Sequence, residues 1–253
     1  MKYGIQMYSI KDIATTDMYA ALKTVAEHGY ASVEFAGFFG HSADQIKAWL
    51  DELGLEVTST HTRLDALLPD TIADTVAYHK AIGCDTIIIP VADWSTAEKL
   101  DANINNMIAA KEYLAKEGMT LAFHNHSTEL VPYPYGKTPI NEIIERTDIE
   151  LEPDVFFFSN CGLDPVEFCE KYSSRIRLVH LKDGTYPTDI VRDYSNIHSG
   201  IESVPTGQGT VPVDAVVEWA RDNGKQIVVE VEARSSGAIV TGECIKYLNE
   251  RGF

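Results

Sequence analysis

The chain has 253 residues and a formal net charge of −17, from 38 acidic against 21 basic side chains, with 45% hydrophobic and 23% charged residues. That suits one globular domain with a full core and matches the roughly 250 residues of a (β/α)8 barrel. The acidic balance speaks against nucleic-acid and anionic-membrane partners, both of which call for clustered Lys and Arg.

The opening residues, MKYGIQMYSIKD, contain no continuous apolar stretch of the secretory kind. The longest apolar run, residues 87–92, is broken by Pro90 and is far too short to span a bilayer. Cys84, Cys161, Cys169 and Cys244 are too scattered for a disulfide framework or a finger-like metal pair. A reduced, cytoplasmic setting is therefore expected.

In chain order, β-rich apolar runs fall at residues 3–8, 32–35, 56–61, 86–90, 120–125, 149–153, 176–181 and 227–231. Most are nearly continuous apolar segments, as parallel strands covered on both faces require. Between them, residues 18–28, 43–53, 71–82, 97–116, 140–146, 165–172, 213–222 and 236–249 show helical spacing of apolar positions. Gly29, Gly54, Gly83, Gly118 and Gly224 each close such a pattern just before the next strand, the usual place for a helix-terminating glycine.

Eight alternating strand–helix pairs predict an α/β fold, a single-domain (β/α)8 TIM barrel over residues 1–253. The rival open sheet would show GxGxxG after its first strand, and none is present. The longest irregular stretch, residues 183–209, follows the seventh strand and reads as an active-site loop.

In such a barrel the C-terminal ends of the strands converge on one mouth. This sequence places Gln6 and Tyr8 there from strand one, Glu34 from strand two and His61 from strand three. Strand five adds His124, Asn125 and His126, and strand six adds Asp154. His180, Lys182 and Asp183 come from strand seven, and Glu230 and Glu232 from strand eight. One such residue is an ordinary loop group or helix cap. Their convergence, at the ends of apolar strands, points to a metal site, because buried ionisable groups are normally paired or bound to metal. Mixed imidazole and carboxylate ligands suit Mn, Co, Zn or Fe better than Mg.

The chain resembles the xylose isomerase-like TIM barrel superfamily, sugar phosphate isomerase/epimerase subgroup. The resemblance rests on HNHSTEL at strand five, LEPDVFFFSNCGLDPVEFCEKYSSRIRLVHLKD across strands six and seven, and GQGTVPVDAVVEWARDNGKQIVVEVE at the end. It implies that Asp154, His180 and Glu230 are metal ligands. Counting from Gly118 puts His124 where the family carries a fourth, carboxylate ligand. The epimerases of the family pair that strand-five Glu with the strand-eight Glu for acid/base work, and here the strand-five Glu is missing. The endonucleases' strand-four His is missing too, from TIIIPVADW.

The expected activity is a metal-dependent isomerase or epimerase acting on a small sugar or keto-polyol, through proton abstraction next to a carbonyl. A metal-dependent lyase or dehydratase acting on an inosose or keto-sugar is the first alternative, and a non-catalytic metal- and sugar-binding barrel the second. Glu230 and His126 are the candidate acid/base groups. Lys182 is the candidate holder of a substrate oxygen, with an ion pair to Asp183 or Glu34 as its bland role. Gln6, Glu34, His61 and Glu129 are expected to bind substrate. There is no Gly-rich phosphate loop, and the mouth offers few cations beyond Lys182, Arg63, Lys137 and Arg234, which favours a substrate without phosphate. A homo-oligomer is possible.

Overall fold

Helix signals translate directly into boundaries. Asp17, Ser42 and Thr96 each accept a hydrogen bond from the backbone N–H three residues on, and each starts a helix where the apolar periodicity begins. Gly29 ends one of them with φ of +97°, a left-handed conformation that side chains resist.

In the computed structural model, which describes residues 1–232 and 235–253, the chain runs β1 (Tyr3–Gln6), α1 (Lys11–Ala14), α2 (Met18–His28), β2 (Ser32–Phe35), α3 (Ala43–Leu53), β3 (Glu56–His61), α4 (Ile72–Ile82), β4 (Thr86–Ile89), α5 (Ala97–Lys116) and β5 (Thr120–His124). It continues α6 (Pro139–Arg146), β6 (Glu150–Glu152), α7 (Val155–Asn160), α8 (Pro165–Lys171), β7 (Leu178–Thr185), β8 (Glu202–Val204), α9 (Val213–Asp222), β9 (Gln226–Glu230) and α10 (Gly237–Glu250). Arg234, counted above among the basic residues of the mouth, lies outside the described residues.

The strand order is β6-β5-β4-β3-β2-β1-β9-β7, all parallel. Bridges from Leu151 to Ile176 and from Asp154 to His180 join β6 to β7 and close the ring. The fold is thus the expected TIM barrel. The predicted eighth strand is β9, because a short antiparallel strand intervenes. β7 runs on past Leu181 to Thr185 and pairs with β8 through Asp183–Val204, Gly184–Ser203 and Thr185–Glu202. Lys182 and Asp183 are expected from sequence to end the strand, and Gly184 and Thr185 fall in the irregular stretch. The Asp183 carboxylate stabilises the extension by accepting from the backbone N–H groups of Gly184, Gly207, Gly209 and Val211. Gly184 must be glycine, since a Cβ there would collide with the Phe156 ring and the Glu202 carbonyl.

Inside the ring, Ile88, Ala122, Leu178 and Val228 form a small apolar cluster of their own, separate from the large core between strands and helices. Strand side chains repeat every two residues on one face. The next inward layer toward the mouth is therefore His124, His180 and Glu230, two residues beyond Ala122, Leu178 and Val228. The barrel stacks a polar layer directly on an apolar one. A register shift after Val33 pairs Glu34 with Ser59 and brings those two side chains together. Among the described residues no helix is long and apolar enough to cross a membrane.

Candidate active site

In-register pairing puts Gln6 beside Glu34, His124 beside Glu152, and Lys182 beside Glu230. Two fully buried carboxylates, Glu34 and Glu152, organise the imidazoles around them. Glu34 Oε1 accepts from Gln6 Nε2 at 2.6 Å and lies 2.7 Å from His180 Nε2 and 3.0 Å from His61 Nε2. Ser59 Oγ donates to the other Glu34 oxygen. Glu152 Oε2 lies 3.0 Å from His61 Nε2 and 3.2 Å from His124 Nδ1, and Oε1 lies 3.3 Å from His180 Nε2.

Burial favours the neutral form of Glu34, but the charges of His61 and His180 outweigh it and hold this carboxyl well below its usual range. Glu152 goes the other way: burial, with Glu34 nearby, pushes it up to about 8. His61 rises to about 9, since Glu34 and Glu152 outweigh its desolvation.

Above these carboxylates, His124, Asp154, His180 and Glu230 each offer one ligand atom, and all four atoms lie within 4.8 Å of one another. Asp154 Oδ1 caps α7 by accepting from the N–H groups of Phe156 and Phe157, while Oδ2 is buried with no partner. Ionised Glu34 can only accept, so His180 Nε2 carries the proton facing it. His180 Nδ1 is buried without a hydrogen bond, 3.4 Å from Glu230 Oε2. Two orphaned buried atoms in a set of two imidazoles and two carboxylates fit a divalent ion, because an unsatisfied buried polar atom is otherwise costly.

A second group, His61, His124, Glu152 and His180, meets the same spacing. In that group Glu152 Oε2 is within reach of His61 and His124 and His180 Nε2 faces Glu34, which leaves Glu152 Oε1 as the atom without a hydrogen bond there, against Asp154 Oδ2 and His180 Nδ1 in the first group. Its carboxylates instead fix the outward-facing nitrogens, the usual role of groups behind metal-binding histidines.

A cavity of about 650 Å³ opens over this layer, with His61, His124, His126, Phe157, Lys182 and Glu230 among its walls. His126 packs on Phe157 with ring centroids 5.0 Å apart. Burial and the Lys182 charge lower its pKa to about 4, so it is a neutral imidazole able to accept a proton. Lys182 is buried, 3.2 Å from Glu230 Oε2, bonded to Glu232, and 4.7 Å from the Phe157 ring centroid. Burial would discharge it, but Glu230, Asp154 and Glu232 outweigh that and keep it a cation. Its partners are therefore Glu230 and Glu232, not Asp183 or Glu34, the ion pair weighed as its bland role. Burial opposes the charge on Glu230, but Lys182 and His180 overcome it and hold the pKa well below the usual range.

Three residues expected to touch substrate do not face the cavity. Gln6 and Glu34 are wholly buried beneath it, bonded to each other. Glu129 has both oxygens engaged, by Trp94 Nε1 at 2.9 Å and by the His126 N–H and Thr128 hydroxyl at 2.9 and 3.0 Å. It braces the turn that presents His126. Of the other cations weighed at the mouth, Lys137 pairs with Glu142 at 2.6 Å, and Arg63 lines the cavity while pairing with Asp65 at 3.2 Å. Sequence reasoning missed Glu152, Phe157 and His198, the last carried onto the cavity wall by the β7–β8 connection.

Comparison with known proteins agrees with this architecture. The inosose dehydratase of Geobacillus kaustophilus is 25% identical over 252 residues, covering 83% of this chain and 79% of that protein. A sugar phosphate isomerase/epimerase structure from Parabacteroides distasonis superposes with a TM-score of 0.80 at 21% identity, covering 98% of both chains. The zinc-bound IOLI protein superposes with a TM-score of 0.70 at 15% identity, covering all of this chain and 96% of that one. A family profile described as xylose isomerase-like TIM barrel matches residues 22–250, and the chain belongs to that family.

Proposed function

We propose that this protein is a metal-dependent enzyme that removes a proton next to the carbonyl of a small keto-polyol. His124, Asp154, His180 and Glu230 would hold the ion, and the observation that carries the reading is the pair of orphaned buried atoms, Asp154 Oδ2 and His180 Nδ1, beneath a cavity walled by neutral His126. A divalent ion bound there supplies Lewis acidity to a carbonyl and its neighbouring hydroxyl. The zinc of the IOLI protein, on the same fold, supports this reading.

The chain's own residues do the rest. His126, on the cavity wall, accepts the proton. Lys182 has two of its three N–H groups engaged by Glu230 and Glu232, leaving one for the oxygen on which negative charge develops. Glu230 serves as the second acid/base group. Phe157, packed against both His126 and Lys182, keeps water from them.

Reprotonation of the resulting substrate enediolate gives isomerisation or epimerisation, and loss of a β-hydroxyl gives dehydration. Dehydration is the favoured outcome. Strand five ends in His124 where the epimerases carry a catalytic Glu, and a relative matched over 83% of this chain and 79% of its own is an inosose dehydratase. An assay in D2O with an inosose and a set of ketohexoses, followed by NMR, tests this. Manganese- or cobalt-loaded protein should convert one of them with loss of water and of the proton next to the carbonyl, and chelation should abolish the reaction. An isomer carrying solvent deuterium would assign the isomerase instead. Full activity in metal-free protein would refute the metal's role.

A further inference from the structure

The cavity above the ligand cluster does not end at its own walls. A second hollow of about 480 Å³ adjoins it between β2, β3 and α4, and Ala36, His61 and Arg63 line both. The second hollow holds none of the four ligand residues, and its walls are of another kind. Phe38 and Tyr78 form an aromatic pair with centroids 4.3 Å apart, Ala66 lies at its side, and Asp65 and Asp74 stand on its rim. The pair is held in place. Phe38 backs onto Phe35 at 5.1 Å, and the Tyr78 hydroxyl donates to the His41 carbonyl at 2.7 Å.

The turn that delivers Phe38 holds one strained residue: Phe39 has φ of +48° with a full side chain, while Gly37 and Gly40, at +99° and +83°, take the left-handed region at no steric cost. Such strain persists only where the surroundings enforce it, and it collects at ligand sites. Here it turns Phe38 onto the hollow and leaves Phe39 48% exposed. An aromatic lining with a polar rim suits a ring whose faces are apolar and whose edge carries hydroxyls.

We propose that the adjoining hollow is a second subsite and that the substrate is a glycoside. The keto-polyol ring occupies the cavity over His124 and Glu230, and a ring attached to it lies against Tyr78 and Phe38. Arg63, Asp65 and Asp74 meet the edge of that second ring, and His61 stands at the junction of the two hollows. The inference rests on the proposed function, which places the polyol in the first cavity.

Titration calorimetry on manganese-loaded protein with three unreactive probes, methyl β-glucoside, phenyl β-glucoside and cellobiose, tests it. At least one of the two-ring probes should bind about tenfold more tightly than the methyl glucoside, the scale of one good aromatic contact plus its buried area. Which of them gains tells an aryl ring from a sugar ring. Tyr78→Ala should erase the gain while leaving methyl glucoside affinity unchanged. Ala66→Phe, which fills the hollow without removing any core contact, should do the same if Tyr78→Ala folds poorly. Equal affinity for all three probes, or a gain that survives both substitutions, would overturn the subsite and leave the first-cavity reading standing. Failure of all three to bind at millimolar concentration would overturn the subsite, while turnover in the D2O assay judges the first-cavity reading separately.

Discussion

Glu230→Gln is expected to lose nearly all turnover, a drop of more than about 10⁴, because it removes an acid/base group, whose loss alone costs roughly 10²–10⁴, together with a charged ligand. The carboxylate ends β9 in register with Lys182, 3.2 Å from its ammonium, and Oε2 is also 3.4 Å from His180 Nδ1. The amide keeps the shape but drops the charge that balances a buried cation. Lys182 would still be held by Glu232, so the barrel should fold, and circular dichroism would verify that. Retention of more than a tenth of wild-type kcat would remove Glu230 from the machinery.

The second large effect separates two neighbouring histidines. His124 and His126 share a strand face, with ring centroids 4.9 Å apart, yet their surroundings differ. His124 Nδ1 is taken by Glu152, which leaves Nε2 for the ligand cluster. His126 packs on Phe157 on the cavity wall and belongs to neither candidate ligand group. His126→Gln should therefore cost roughly 10²–10⁴ in kcat with metal content unchanged, the range for one general acid/base group. His124→Gln should lower metal content and activity together. Metal analysis beside steady-state kinetics checks both, and the reverse pattern would exchange the two roles.

Helix positions were legible almost to the residue. Asp17, Ser42 and Thr96 cap three helices whose bounds match the periodicity at both ends, because capping and amphipathic spacing are local signals. The strand ends that form the mouth were legible for a similar reason, as ionisable residues interrupt otherwise apolar runs. What escaped was non-local. Glu152 sits two residues before Asp154 on the same strand face, but Pro153 between them reads as the strand's end. Its value lies in three histidines brought from β3, β5 and β7. The short helices α1 and α7 fell outside the segments with helical spacing, and Asp154 caps the start of α7. Glu129 looked like a substrate contact until Trp94, 35 residues away, proved to hold its carboxylate. β8 pairs with a polar extension of β7 that carries no apolar alternation at all.

The central claim is that His124, Asp154, His180 and Glu230, rather than the paired group beneath them, hold one divalent ion. Anomalous diffraction from a manganese-soaked crystal tests it most directly. A single anomalous peak is predicted among these four residues, with distances of about 2.0–2.2 Å, the range for first-row metals on imidazole and carboxylate. A peak among His61, His124, Glu152 and His180, or no peak at saturating metal, would contradict it.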